Sequence, residues 1–136
     1  MRQRILVLGI AAVLFSGVCV AQAGGNAAWV GVWQGELDGQ PSVTLTLAED
    51  TGELGGTVVF NMVSREDGSA RVIGSEAHVL MHPHIDGGTL SFQVKQTRNN
   101  RELQVAVTIT AAGKAQLRCL NCGEDSPAAE LVRARR

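Results

Sequence analysis

Alternation of apolar and polar residues, with a period of two, recurs along most of this chain and constrains its fold more than any other feature. Val43, Leu45 and Leu47 alternate with serine and threonine, and the pattern returns over residues 90–95 and 103–110. Because successive side chains of a strand point to opposite faces, each run has one apolar face and one face that water can meet. Outside the N-terminal apolar run, no segment carries apolar residues at sustained helical spacing. The sequence therefore predicts an all-β protein.

Short segments rich in turn residues separate the alternating runs. Most of them place glycine or asparagine where a positive φ costs little, and they lie at 38–41, 49–52, 66–68, 86–88, 98–100 and 112–114. They delimit eight candidate strands, at about 29–37, 42–48, 56–63, 70–81, 89–96, 101–111, 115–120 and 128–134. Eight short strands joined by tight turns predict an antiparallel up-and-down barrel, because closure removes exposed edges. A two-sheet β-sandwich is the alternative.

The N-terminus has the pattern of a secretory signal peptide. Two arginines precede an apolar run over 5–20, which would cover about 24 Å as a helix and so falls short of the ~30 Å hydrocarbon core. The small residues of Ala21-Gln22-Ala23 then supply a cleavage site. We therefore predict a signal peptide over 1–23, a single barrel domain over 24–136, no transmembrane span, and an exported protein that is periplasmic or secreted.

Cys19 raises the alternative of a lipid anchor. A lipoprotein signal needs a small residue directly before the modified cysteine, and Val18 stands at that position. Cleavage after Ala23 fits the sequence better.

Charge and composition exclude some partners. The chain has 12 basic and 13 acidic residues, and the signal segment removes two arginines, which leaves a net charge of −3. That balance gives no electrostatic footprint for nucleic acid. Aromatic residues make up 4% of the chain and tyrosine is absent, so the rings on which single strands and sugars stack are also scarce.

The opening strand resembles that of the calycins, the group of lipocalins, fatty-acid-binding proteins and avidins. It reads Trp-Val-Gly-Val-Trp-Gln-Gly over 29–35, with the Gly-x-Trp pattern at Gly31 and Trp33, and residues 52–58 look like the second hairpin of avidins. The resemblance implies a barrel with Trp33 at its floor. It further implies that Arg133 or Arg135 packs across the Trp33 ring, a cation–π contact worth about 0.5–2 kcal/mol.

The chain also departs from these families. It is shorter than a lipocalin, lacks the Tyr-containing second motif, and has no tail long enough for the usual C-terminal helix. No Trp or Tyr follows Trp33, whereas the avidin pocket uses several. The resemblance therefore predicts the fold but does not predict biotin binding. The chain is also similar to small exported bacterial proteins with a G-x-W-x-G first strand.

Three histidines lie close together in the sequence, at His78, His82 and His84. Even spacing places them on one side of an extended chain, where three imidazoles, with Met81 nearby, can hold Zn²⁺ or Cu²⁺. The alternative is that residues 82–84 only begin the turn at 86–88, because Pro83 fits poorly in a central strand.

Cys119 and Cys122 form a C-x-x-C pair. No parallel βαβ pattern surrounds it, so the context of a thiol oxidoreductase is missing. In an exported chain the pair predicts a local disulfide that clamps the last hairpin, worth about 2 kcal/mol because the closed loop is short. A free or redox-active dithiol and a metal-ligand pair are the alternatives.

Catalysis has no positive support, since the acidic residues lie mostly in turns and the common catalytic and phosphate-binding motifs are absent. We therefore predict an exported, non-catalytic barrel, without a cofactor, that binds a small apolar or amphipathic ligand. Its predicted lining is Trp33, Phe60, Phe92, Val105 and Leu117. The alternatives are a filled barrel acting as a structural or interaction module of the cell envelope, and a metal or thiol protein using the cysteines and histidines. Oligomeric state and ligand identity stay open.

Overall fold

The computed structural model describes residues 25–135. The predicted signal peptide 1–23, its cleavage site and Cys19 lie outside the described residues. The cleavage and the domain limits 24–136 therefore stay predictions.

The described chain is all-β, as predicted, and its strands form one curled antiparallel sheet. Two short 3-10 helices, Asn26–Ala28 and Glu66–Gly68, are its helical elements. The nine strands are β1 Gly31–Leu37, β2 Gln40–Asp50, β3 Glu53–Ser64, β4 Arg71–Val79, β5 Met81–Asp86, β6 Thr89–Lys95, β7 Glu102–Ala111, β8 Lys114–Cys119 and β9 Ala129–Arg133.

The strand order is β4-β3-β2-β1-β9-β8-β7-β6-β5. Neighbours in the sheet are neighbours in the chain, except where β1 pairs with β9 and joins the first strand to the last; Trp33 lies opposite Arg133 there. The end strands β4 and β5 are separated in sequence only by Leu80, whose N–H donates to the carbonyl of Gly56 at 3.1 Å. The short connection through Leu80 therefore keeps the two end strands of the curled sheet close together.

The number of strands differs from the prediction of eight. The candidate strand 70–81 is β4, but residues 81–86 form a further strand, most of which lies between the candidate strands 70–81 and 89–96. Met81 pairs with Gln93 and His84 pairs with Ser91, so β5 holds one extra residue between these two pairs. This bulge, in which His82 has a φ of 50°, is where a sheet tolerates Pro83.

The core fills the concave side of the sheet. Inward-facing positions alternate along the strands as the sequence pattern predicts, and the buried apolar residues are Trp29, Trp33, Val43, Leu45, Leu47, Val58, Leu80, Leu90, Phe92, Val94, Val105, Val107, Ala115, Leu117 and Leu131. Both halves of the chain contribute to this one cluster. The strands are therefore held in a single hydrophobic core.

Hairpin turns between strands follow from local residue chemistry. Between β1 and β2, Asp38 has a φ of 51° and Gly39 a φ of 77°. Positive φ at both central residues is the requirement of the tight turn that matches strand twist, and Asp-Gly meets it at low cost. Turns of this kind bring strands that are adjacent in sequence into register.

Candidate functional site

The two ends of the curled sheet differ. One end, here called the closed end, is formed by Trp29, Trp33 and Arg133. The other holds a solvent-open cavity, here called the open-end cavity, near the connections at 96–101 and 120–128. Val43 pairs with Phe60, and Phe60 pairs with Glu76, so the cavity residues of these neighbouring strands lie at one level.

The closed end is dense and fully hydrogen-bonded. Trp29 and Trp33 are each 1% exposed, and their ring centroids are 6.2 Å apart. The Trp33 indole N–H donates to the carbonyl of Trp29 at 2.9 Å. Neither large ring therefore leaves a buried donor without a partner.

Arg133 covers the Trp33 ring, which identifies it rather than Arg135 as the residue of the predicted contact. Its guanidinium carbon lies 5.6 Å from the Trp33 ring centroid. The same guanidinium donates to the carbonyls of Ala27 and Val30 and so ties the N-terminal segment across this end. Asn26 adds a bond from its side-chain amide to the carbonyl of Gly52 at 2.9 Å.

Each of the two glycines of the opening strand is needed for a different steric reason. Gly31 has a φ of 133°, and a Cβ there would lie 3.3 Å from the Nε of Arg133. A Cβ at Gly35 would lie 2.9 Å from the carbonyl oxygen of Glu130 on β9. The G-x-W-x-G pattern therefore leaves room for the last strand and its arginine against the first.

The open-end cavity has a volume of about 280 Å³. Its wall is mostly apolar and comes from strands on both sides of the β1–β9 junction and from the segment after β8. The lining residues are Val43, Phe60, Glu76, His78, Gln96, Leu103, Val105, Leu117, Cys119, Cys122, Ser126, Pro127 and Ala129. Residues far apart in sequence thus enclose one space.

Three of the five predicted lining residues border this cavity, namely Phe60, Val105 and Leu117. Trp33 lies at the closed end, and Phe92 is buried in the core without lining the cavity. For Trp33 and Phe92, the alternation correctly predicted that the side chain faces inward. An alternation with a period of two cannot predict at which end of the sheet an inward-facing residue lies. Ligand binding by any of the five stays a prediction.

A polar pair, Glu76 and His78, faces inward from β4. The His78 side chain is 6% exposed, and its Nε2 lies 3.6 Å from Oε1 of Glu76, whose side chain is 44% exposed. The His78 ring centroid also lies 6.0 Å from that of Phe60. His78 is therefore held between an aromatic ring and a carboxylate at the cavity wall.

Glu76 is stabilised as a carboxylate. The hydroxyl of Thr97 donates to its Oε1 at 2.9 Å. This hydrogen bond is the main cause that lowers the pKa of Glu76; partial burial opposes it, and the nearby His78 side chain, the Thr97 backbone N–H and Arg98 lower it further. The carboxyl group is therefore ionised at neutral pH.

The three histidines do not share one face, which corrects the prediction from even spacing. His78 is buried, whereas His82 and His84 are exposed. The bulge between Met81 and His84 shifts the alternation by one residue, so the later imidazoles point outward. Within residues 25–135, no group of three or more His, Cys, Asp or Glu side chains is placed to hold a metal ion.

Cys119 and Cys122 lie at disulfide distance, as predicted, with their Cα atoms 5.5 Å apart. Both border the cavity. Asn121 between them fixes the segment to β7, because its Oδ1 accepts from the N–H of Gln104 at 2.9 Å and its Nδ2 donates to the carbonyl of Glu102 at 2.8 Å. The C-x-x-C segment is thus a tied rim of the cavity.

Sequence reasoning missed Glu76 as a site residue. A signal was available, since Glu76, His78 and Leu80 are spaced by two along one candidate strand and Leu80 requires the inward face. The position of Thr97, which lies after β6, depends on the fold.

Comparison of the chain with protein-family profiles, curated proteins and solved structures found no match. Across residues 25–135, none of the helices is long and apolar enough to cross a membrane.

Proposed function

We propose that this protein is an exported, non-catalytic barrel of calycin-like architecture that binds a small amphipathic ligand in its open-end cavity. The observation that carries the proposal is a mostly apolar, solvent-open cavity of about 280 Å³ with a polar pair set into its wall. Ligand sites are typically concave and mostly apolar, with a few polar groups that fix orientation, and this volume lies near the lower end of their range. A small ligand is therefore favoured.

We infer that the curled sheet is a closed eight-stranded barrel. β4 pairs with β3 and β5 pairs with β6, and one residue separates β4 from β5. The two short strands then act as a single bent strand between β3 and β6. The packing of Arg133 over Trp33 at one end supports a likeness to calycins.

Export is supported by the signal-like N-terminus together with the cysteine pair at disulfide distance. Disulfides persist in oxidising compartments and are rare in reducing ones.

The experiment is to fill the cavity and follow binding of hexan-1-ol by saturation-transfer NMR. Ala129 lines the cavity, whereas Ala77 is exposed on the outer face of β4, so Ala129→Phe and Ala77→Phe form a matched pair. We expect hexan-1-ol to bind the wild type and Ala77→Phe, and to lose most of its signal with Ala129→Phe. Equal signals from both variants, or none from the wild type, would contradict the proposal. Intrinsic tryptophan fluorescence is a poor reporter because neither Trp lines the cavity.

A second candidate, an interaction module of the cell envelope, is favoured by one observation. Ile73 and Val79 of β4 are 59% and 71% exposed. Single exposed apolar residues are normal, but two on one end strand offer a surface for another chain. Sedimentation velocity of the wild type and of an Ile73→Ser, Val79→Ser variant tests it for self-association, which this candidate expects from the wild type alone.

A further inference from the structure

The open-end cavity has one fixed charge, and that charge is negative. Among the described residues that line it, Glu76 is the acidic one, and neither lysine nor arginine takes part. His78 is the other titratable side chain of the wall. A ligand that enters this space therefore meets a carboxylate and no permanently cationic partner.

The charge of Glu76 is left available by its neighbours. Thr97 donates a neutral hydrogen bond, which keeps the carboxyl ionised without cancelling its charge. His78 touches one oxygen at 3.6 Å from a buried position, and Arg98 acts on the carboxylate without lining the cavity. With 44% of its side chain exposed, Glu76 keeps room for a further partner.

Two arginines near the ends of the sheet, Arg133 and Arg101, have other partners, and a third, Arg98, acts on Glu76 without lining the cavity. Arg133 is at the closed end, over Trp33 and bonded to backbone carbonyls. Arg101 donates to the carbonyl of Asn121 behind the cavity rim. Neither guanidinium lines the space in which a ligand head group would lie.

We propose that the ligand of the open-end cavity is a small amphipathic amine, with its apolar part against Phe60, Val105 and Leu117 and its ammonium group at Glu76. This inference rests on the proposed function and adds the head-group class. The carboxylate attracts a cation and repels an anionic amphiphile such as a short fatty acid. A partly desolvated ion pair with a primary ammonium also gains charge-assisted hydrogen bonds.

The test compares three probes with the same six-carbon tail: hexan-1-amine, hexan-1-ol and hexanoate, each titrated at pH 7 and followed by protein-observed NMR. We expect the amine to bind about tenfold more tightly than the alcohol, and hexanoate to bind more weakly than either. In Glu76→Gln we expect the amine to fall to the affinity of the alcohol while the alcohol is unchanged. Glu130→Gln is the control, because it removes the same charge from an exposed position that does not line the cavity.

The outcomes distinguish the inference of an amine ligand from the proposal of a ligand-binding cavity on which it rests. If the alcohol binds and the amine binds no better, or if hexanoate binds best, the amine class is wrong and the cavity proposal stands. If none of the three probes binds, both are wrong. A preference for the amine that survives in Glu76→Gln but not in Glu130→Gln would place the cation elsewhere and also overturn the inference.

Discussion

The closed end and the open-end cavity are built from the same strands, yet they have opposite characters. At the closed end every large ring is buried and the Trp33 N–H has a backbone partner at 2.9 Å. At the open end an ionised Glu76 is 44% exposed and a cavity interrupts the packing. Close packing contributes stability, whereas a cavity forfeits contacts between its walls.

The comparison indicates a division of roles between the two ends of one curled sheet. The first strand allows dense packing over residues 31–35, because two of these five residues are glycines that make room for β9. The open end instead gathers residues from six strands and two connecting loops around a space that none of them fills. Stability is therefore expected to depend on the closed end and ligand selection on the open one.

The largest expected effect is at Trp33. Truncation by Trp33→Ala removes the largest buried contact of the closed end, the indole hydrogen bond and the surface under Arg133, and should lower the free energy of unfolding by about 3–5 kcal/mol. Phe60→Ala at the half-buried cavity wall should lower it by only about 1–2 kcal/mol. Urea unfolding followed by circular dichroism measures both. Equal losses would show that the two ends do not differ in this way.

A smaller loss is expected from Gly31→Ala. A residue with a side chain is strained at a φ of 133°, and the new Cβ would crowd the Arg133 guanidinium at 3.3 Å. We expect a loss of about 1–3 kcal/mol in the urea measurement. Gly55→Ala is the control, because its Cβ would meet nothing within 4 Å and its φ needs no glycine. If both variants were equally stable, the arginine would not require that glycine.

The cysteine pair at the open end is expected to contribute less to stability. Because the loop it closes is four residues long, replacing both cysteines by serine should cost no more than about 2 kcal/mol. Its local effect should be greater, with faster amide exchange of the Asn121 segment by NMR and no change at the closed end. If amide exchange became faster to the same extent at both ends, the disulfide would instead stabilise the whole fold.

Much of the fold followed from residue pattern, and the exceptions have physical causes. Alternation placed Phe60, Val105 and Leu117 inward, where the structure has them, because the hydrophobic effect acts on faces and the face is set by period two. Residues 82–86 lay outside the candidate strands because proline fits poorly in a central strand, and the bulge that accommodates Pro83 depends on pairing with β6.

The candidate site was harder to predict than the fold. Height along the strands separates Trp33, which pairs with Leu45, from Phe60, which pairs with Val43, and it is set by the register of the hairpins that join β1, β2 and β3. The partnership of Glu76 with Thr97 joins two residues 21 positions apart, and no local rule specifies it. A prediction based on the pattern of apolar residues therefore misses polar residues that face inward.

The smallest expected effect is the pH dependence contributed by Glu76. Its pKa is lowered in the folded protein from the ordinary value of 4.5, chiefly by the hydrogen bond from Thr97, so the folded state favours the ionised form. This stabilisation is present above the unfolded pKa and is lost as pH falls through the folded value. Wild-type protein should therefore lose more stability between pH 7 and pH 3 than Glu76→Gln does. Urea midpoints at the two pH values measure the difference.

The hydrogen bond itself is tested by Thr97→Val, which keeps the shape of the side chain and removes the donor. We expect this variant to lose most of the acid sensitivity that distinguishes the wild type from Glu76→Gln, because the largest cause of the lowered pKa is gone. The closed end supplies the contrast, since Trp33→Ala should lower stability by the same amount at both pH values. An acid sensitivity that persists in Thr97→Val would assign the lowered pKa to the Thr97 backbone N–H and to the nearby His78 and Arg98 side chains instead, and a cationic ligand would then meet a carboxylate that other groups already stabilise.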